Sequence, residues 1–426
     1  MNSSWAALRH PIFRSLWITS AISSICVAAH NNAATFLMNT LGCPSFLISL
    51  ISIAAALPFF LFTIPASFLA DRVNRKKLLC AINLWLAAGA FGLAVFGWLK
   101  VLSPCLILLC VFVIGAGFAF NAPVSTAIVT QLVPKAALAS VVTLNGLQFN
   151  ISGIAGPALG GLLIPVIGAN LIFTANAVCF LFVILALRRW KQPMGRSGDW
   201  PEQPSLSVGA VTRWVLSKPR LQVILARNFE FSFFISAIPA VAPIIGLKVL
   251  HFNSSELGLL FASMGAGSVI AALFILPWVR KLFAGNVLTL SNSVIALIDL
   301  LMAFIHEPSF FFLAAALVGA GWTVSASELW VAGQRAIPDW ARGRLTAAII
   351  TVSQGATVLG GLIWSGLVAI GGANTALLEA GVLLTVTILL TTGYGRVKRI
   401  LGAFAEIRAV VPQRISQADQ VTAIPA

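Results

Sequence analysis

Charge is what this chain has least of. Charged residues fill 9 % of its 426 positions, where a soluble domain carries about 25 %. Acidic residues are scarcer still, with 12 Asp and Glu against 27 Lys and Arg, and tyrosine occurs once. So little polar material cannot cover a soluble domain, and a hydrophobic content of 59 % excludes disorder. The six cysteines, Cys26, Cys43, Cys80, Cys105, Cys110 and Cys179, form no CxxC pair, which removes a zinc ribbon or a redox motif and leaves them as small hydrophobes. HExxH, GxSxG, P-loop and paired-carboxylate patterns are all missing, so the sequence offers no enzyme site, and neither a cofactor nor a metal is expected. No cleavable signal peptide is expected either, because the first apolar stretch is too long and lacks a clear small-residue cleavage site before the next one.

Long apolar runs are present instead, with a mean hydropathy of +0.97. A bilayer-spanning helix needs roughly 20 apolar residues, and twelve stretches qualify: 12–39, 45–70, 77–99, 104–131, 139–165, 169–188, 221–247, 255–280, 286–305, 309–333, 344–370 and 373–395. Helices are expected because lipid offers no partner to a free backbone N–H or C=O. The one long polar stretch, 189–220, divides the chain into six spans plus six. The expected organisation is a bundle over 1–188, a cytoplasmic central loop over 189–220, a second bundle over 221–395 and a cytoplasmic tail over 396–426.

Orientation follows from the basic residues. With the N-terminus cytoplasmic, every Lys and Arg lies on the cytoplasmic side except Lys100 and Lys248 on the other face and Arg227 inside a span. The positive-inside rule is met at every loop. The formal charge of +15 is therefore topogenic, and no nucleic-acid partner is needed to explain it.

The halves also repeat. An offset of 204 residues lays Gly115-Ala116-Gly117 on Gly319-Ala320-Gly321, Pro134 on Pro338, and Gly156 on Gly360. Parallel repeats related by an axis along the membrane normal are a transporter architecture, with the substrate site between them.

Two motifs carry a resemblance. Between spans 2 and 3 the chain reads Pro65-Ala-Ser-Phe-Leu-Ala-Asp71-Arg72-Val-Asn-Arg75-Lys76-Lys77. This resembles the cytoplasmic GxLADRxGRR signature of the major facilitator superfamily, with Ser67 where the first Gly is usual and Asn74 where Gly or Asp is usual. In span 5, Gly156-Pro157-Ala-Leu-Gly160-Gly161 resembles the GPxxGG core found in exporting members, with Thr143 and Ser152 where further glycines are usual. Together with the opening RHPIFRSLWITSAISS and the segment LPFFLFTIPASFLADR, these most resemble the enterobactin-exporter-like (transmembrane secretion effector) branch. The RxxQG pattern of many proton-coupled exporters is missing, since span 4 holds no Arg.

That resemblance implies an all-α integral membrane protein of the major facilitator fold, with 12 helices in two pseudo-symmetric bundles. It implies a monomeric, multi-pass protein of the bacterial inner membrane with both termini cytoplasmic, and a secondary transporter working by alternating access. The expected activity is proton-coupled efflux of a small organic molecule, siderophore-like or amphiphilic and drug-like. A proton-coupled uptake symporter and a non-transporting sensor that kept the fold are the alternatives. Asp71, Arg72 and Arg75 are the expected cytoplasmic gate.

Polar groups at membrane depth are functional candidates by default. They are His30 and Asn31 in span 1, Asn121 in span 4, Asn145 and Gln148 in span 5, Arg227 and Glu230 in span 7, and Glu328 in span 10. By resemblance, spans 1, 4, 7 and 10 line the cavity. Glu328 is expected to carry the proton, having no basic residue in its own span until Arg335, with His30 as the alternative carrier. Asp299 in span 9 and Glu379 in span 12 are expected to be structural.

Overall fold

A computed structural model describes residues 6–134, 137–190, 217–283, 286–337 and 342–391. All its long elements are helices: α1 (Pro11–Thr40), α2 (Ser45–Arg72), α3 (Arg75–Trp98), α4 (Pro104–Leu132), α5 (138–167), α6 (169–189), α7 (Pro219–Val249), α8 (Ser254–Leu282), α9 (Val287–Phe304), α10 (Pro308–Ala336), α11 (Arg342–Gly371) and α12 (Ala373–Thr391). Helices α5 and α6 follow each other without a loop. Together they hold 52 residues, about 78 Å at 1.5 Å per residue, far more than a bilayer core of about 30 Å. Gly168 turns the chain between them at φ 77°, ψ 161°, a conformation that only glycine adopts freely. Twelve spans result, as the apolar runs predict.

The helix starts are written locally. Pro11, Pro219 and Pro308 open α1, α7 and α10 at the first turn, where a missing N–H is harmless. Asn74 caps α3 by accepting from the Lys77 amide at 3.1 Å. Asn253 and Glu256 form a reciprocal capping box at the head of α8. Helix α7 is broken at Ser236 and ends in a π-helical turn over Ile245–Val249, and α8 carries another over Ala271–Ile275.

The 204-residue repeat holds at the level of contacts. A Cβ on Gly115 of α4 would meet Ala55 and Pro58 of α2, and one on Gly319 of α10 would meet Met264 of α8. Gly117 faces Leu86 of α3, while Gly321 faces Ile295 of α9. Gly156 of α5 faces Ala28 of α1, while Gly360 of α11 faces Phe233 of α7. Each glycine lets equivalent helices approach within its own half. Large apolar side chains such as Val166, Trp278, Phe304, Ile370 and Leu390 stay exposed on the outside, as a lipid-facing surface requires.

Candidate functional site

The cavity is built from one half of the molecule. It has a volume of about 620 Å³ and is lined by α1 to α6, within the 300–1,000 Å³ range of small-molecule sites. Helix α1 contributes Ser20, Ser24 and Asn31, α3 contributes Asn83, α4 contributes Asn121 and Ser125, and α5 contributes Asn145, Gln148 and Ser152. Trp17, Phe59, Phe118 and Phe180 complete apolar walls. Some of the polar groups are held in place. Ser125 donates to Asn121 Oδ1 at 2.6 Å, Gln148 Nε2 donates to Ser24 Oγ at 2.9 Å, and Asn83 Nδ2 donates to the Leu79 carbonyl at 2.8 Å. Trp17 is fixed by its indole N–H on the Leu144 carbonyl. The lining extends to Phe13 and Leu132, near the ends of α1 and α4 that lie with the N-terminus.

The Gly156–Gly161 segment is a junction of three helices. Gly156 and Gly160 press on Ala28 and Ala29 of α1. Asn32 Nδ2 donates to the Pro157 carbonyl at 3.2 Å. Gly161 faces the other half, where an added Cβ would lie 2.4 Å from the Ser254 carbonyl oxygen and 2.9 Å from Gly258 Cα. The same helix pair meets again at Gly153 and Gly265, and Ser255 donates to the Gly161 carbonyl at 3.3 Å. By the pseudo-symmetry, α2 meets α11, with Gly361 on Ile53 and Gly355 on Phe60. The two halves thus meet backbone to backbone where α5 crosses α8, and through the Ile53 and Phe60 side chains on glycines where α2 crosses α11, while the cavity lies towards the near end.

Of the residues singled out in the sequence, Asn31, Asn121, Asn145 and Gln148 meet in this cavity. The ionisable ones lie elsewhere. His30 is fully buried, its ring 4.5 Å from that of Phe173 in α6, and neither ring nitrogen has a hydrogen-bond partner among the described residues. Arg227 bonds Glu230 at 3.3 Å and Thr391 of α12 at 3.1 Å. Glu328 is paired with Arg280 of α8. Its own span offers no basic residue until Arg335, and the partner comes from 48 residues away in sequence, where α8 packs on α10. Asp299 is fully buried in α9 with neither carboxyl oxygen partnered among the described residues.

In the expected gate, the side chains of Asp71 and Arg72 lie outside the described set. Arg75 opens α3, and next to it the Lys76 ammonium donates to the Trp190 carbonyl and sits 6.0 Å from the Trp190 ring centre, tying this loop to the end of α6. Sequence reading missed Asn83, Ser24 and Ser125 as lining groups. Their signal was hydroxyls and amides recurring at helical spacing on one face of an apolar run. Gly258 and Gly265 of α8 had no such signal, because a small residue declares its neighbour only in three dimensions.

The fold is shared with solved transporters. A bacterial homologue of the human lysosomal transporter Spinster, in an inward-facing and occupied conformation, superposes with a TM-score of 0.71 at 14 % identity over 91 % of this chain and 97 % of that one. A bacterial homologue of the iron transporter ferroportin, inward-facing, gives 0.66 at 15 % identity over 89 % and 98 %. In sequence, the staphyloferrin A transporter of Staphylococcus aureus is 23 % identical over 75 % of this chain and 80 % of its own length. The macrolide efflux protein A of Streptococcus pyogenes is 26 % identical over 39 % of this chain, which spans only 41 % of that relative's length. The enterobactin exporter of Citrobacter koseri is 24 % identical over 62 % of this chain and 63 % of its own. A family profile described as transmembrane secretion effector matches residues 2–399. The chain accordingly belongs to the transmembrane secretion effectors of the major facilitator superfamily, multi-pass membrane transporters and not enzymes.

Proposed function

We propose that this protein exports a small organic molecule from the bacterial cytoplasm across the inner membrane by alternating access, driven by proton antiport. It works as a monomer, with both termini and the 189–220 loop cytoplasmic. The observation that carries this reading is the cavity at the end of the bundle bearing the basic loops, with α5 and α8 in backbone contact and α2 packed on glycines of α11 away from it. With the end bearing the basic loops in the cytoplasm, this supports an inward-facing reading, poised to load cargo from the cytoplasm. Rocking the bundles 1–188 and 221–395 about the cavity would part those glycine contacts and close the cytoplasmic side. The names of the relatives favour export of siderophore-like or drug-like cargo over uptake.

Asn31, Asn121, Asn145 and Gln148 are the cargo contacts in this reading, and Gly156, Pro157, Gly160 and Gly161 are the pivot. Asp71, Arg72 and Arg75 form the gate that holds the closed cytoplasmic face. Proton exchange falls to the second half, whose spans hold Glu230, Asp299, Glu328 and Glu379, whereas Asp71 is the one carboxylate before Asp199. Everted membrane vesicles given a pH gradient and a panel of siderophores and macrolides test this. Wild-type vesicles should accumulate at least one compound, and Asp71→Asn should reduce its initial rate about tenfold or more while inserting normally. Uptake into right-side-out vesicles instead, or no movement of any compound, overturns export.

A further inference from the structure

Among the described residues, the lining of the cavity is free of charge. Its 27 lining residues include no Asp, Glu, Lys, Arg or His. Away from the helix ends, His30 is the only ionisable group in the spans of this half apart from cysteine thiols, and it is buried against Phe173 outside the lining. Across the molecule, Arg227 pairs with Glu230 and donates to Thr391, and Glu328 pairs with Arg280. Arg9, Arg14, Arg188 and Arg189 stand at helix ends, so the basic charge is at the mouth and not in the chamber.

We infer that the cavity of α1–α6 is a site for an uncharged amphiphile that presents hydroxyl, amide or ester groups on one side and an apolar or aromatic face on the other. This deepens the export reading and rests on it for the cargo role of the cavity. A charged group moved from water into a chamber with no counter-charge keeps little of its solvation and gains no ion pair. An uncharged polar group loses only hydrogen bonds to water, and the lining can replace them. The side chains of Asn31 and Asn145 make no hydrogen bond among the described residues, and Gln148 and Asn121 each keep amide capacity beyond the single bond each makes. Carboxamides and hydroxyls both donate and accept, so they suit a ligand whose groups do both. Trp17, Phe59, Phe118 and Phe180 offer ring faces to its apolar side. Citrate-like polycarboxylates and permanent cations are the classes this chamber disfavours.

The test uses the full chain in everted vesicles, with its six native cysteines replaced by serine and one cysteine placed at Ser20 or Ser125 in the chamber. Each is treated with three methanethiosulfonates of similar size: hydroxyethyl (uncharged), ethylsulfonate (anionic) and ethyltrimethylammonium (cationic). Rates are divided by those at Val73→Cys, an exposed position near the same end. The uncharged reagent should modify at least one of the two chamber positions about fivefold or more faster than either charged reagent. Adding Asn121→Asp should raise the relative trimethylammonium rate by about the same factor. A smaller preference at both positions, a faster charged reagent, no reaction at either position, or no response to Asn121→Asp overturns the proposal. The export reading is judged separately in the same vesicles. If uncharged selectivity holds but the modified Ser125→Cys protein moves its compound at the unmodified rate, the chamber keeps its selectivity and loses its place on the export path.

Discussion

Glu328 is the residue whose chemistry changes most between chain and fold. Along its own helix the next basic group is Arg335, but Arg280 of α8 supplies the pairing. The Arg280 side chain is 43 % exposed, so solvent screens the pair, and a double-mutant cycle of Glu328→Gln with Arg280→Gln should give a coupling of about 0.2–1 kcal/mol. A coupling above about 2 kcal/mol would make the pair a structural clamp. With stability so little affected, loss of pH-gradient-driven transport in Glu328→Gln with retained binding reports on proton exchange itself. Survival of coupled transport in that variant but not in His30→Ala moves the role to His30. Asp299 presents the opposite case, a buried carboxyl with two unpartnered oxygens. Leaving such a group unsatisfied costs about 1–3 kcal/mol, so Asp299→Leu should raise the melting temperature of the purified protein by several degrees. A fall instead means that the carboxyl has a bonding role in the folded state.

At the scale of helices, glycines decide which contacts are permanent and which are made to break. Gly319 lets α10 touch α8 inside one half, where an added Cβ would lie 1.9 Å from the Met264 carbonyl oxygen. Gly161 lets α5 touch α8 across the two halves. Both sites are blocked by backbone, which cannot swing aside, and overpacking of this kind costs about 1–3 kcal/mol. The consequences should differ, because in the proposed cycle only the second contact belongs to one state. Gly319→Ala should lower the melting temperature. Gly161→Ala should instead destabilise the closed outer face, raising external thiol labelling of Ser255→Cys by roughly 5- to 150-fold. Equal melting losses with unchanged labelling would show that α5 and α8 never part.

For the whole molecule, orientation carries the argument from geometry to direction. Loading from the cytoplasm requires that the end bearing the N-terminus face inward, the orientation that the distribution of Lys and Arg predicts. In a cysteine-free background, an impermeant thiol reagent applied to intact cells should miss a probe at Gly198 in the central segment and reach one at Asn253 between α7 and α8. Labelling at Gly198 inverts the topology, and with it the direction in which the cavity loads.

The chain alone determined the number of spans, their approximate ends and their duplication, and it predicts their orientation. Lipid imposes those features one segment at a time: about 20 apolar residues per crossing, basic residues on one side, and glycine where two helices must touch. Gly168 is the clearest case, because its freedom of φ is a local property that marks the turn between α5 and α6. Asn31, Asn121, Asn145 and Gln148 could be singled out for the same reason, as polar groups in apolar runs. Which of the candidates share a chamber was decided only by the tertiary structure. It set Arg227 and Glu230 beside Thr391 and brought Arg280 to Glu328. It also drew together six helices of one half around a chamber without a charge. These outcomes depend on the rotation and packing of helices far apart in sequence. A segment's hydropathy constrains whether it crosses the membrane, and leaves open which neighbour each of its faces will meet.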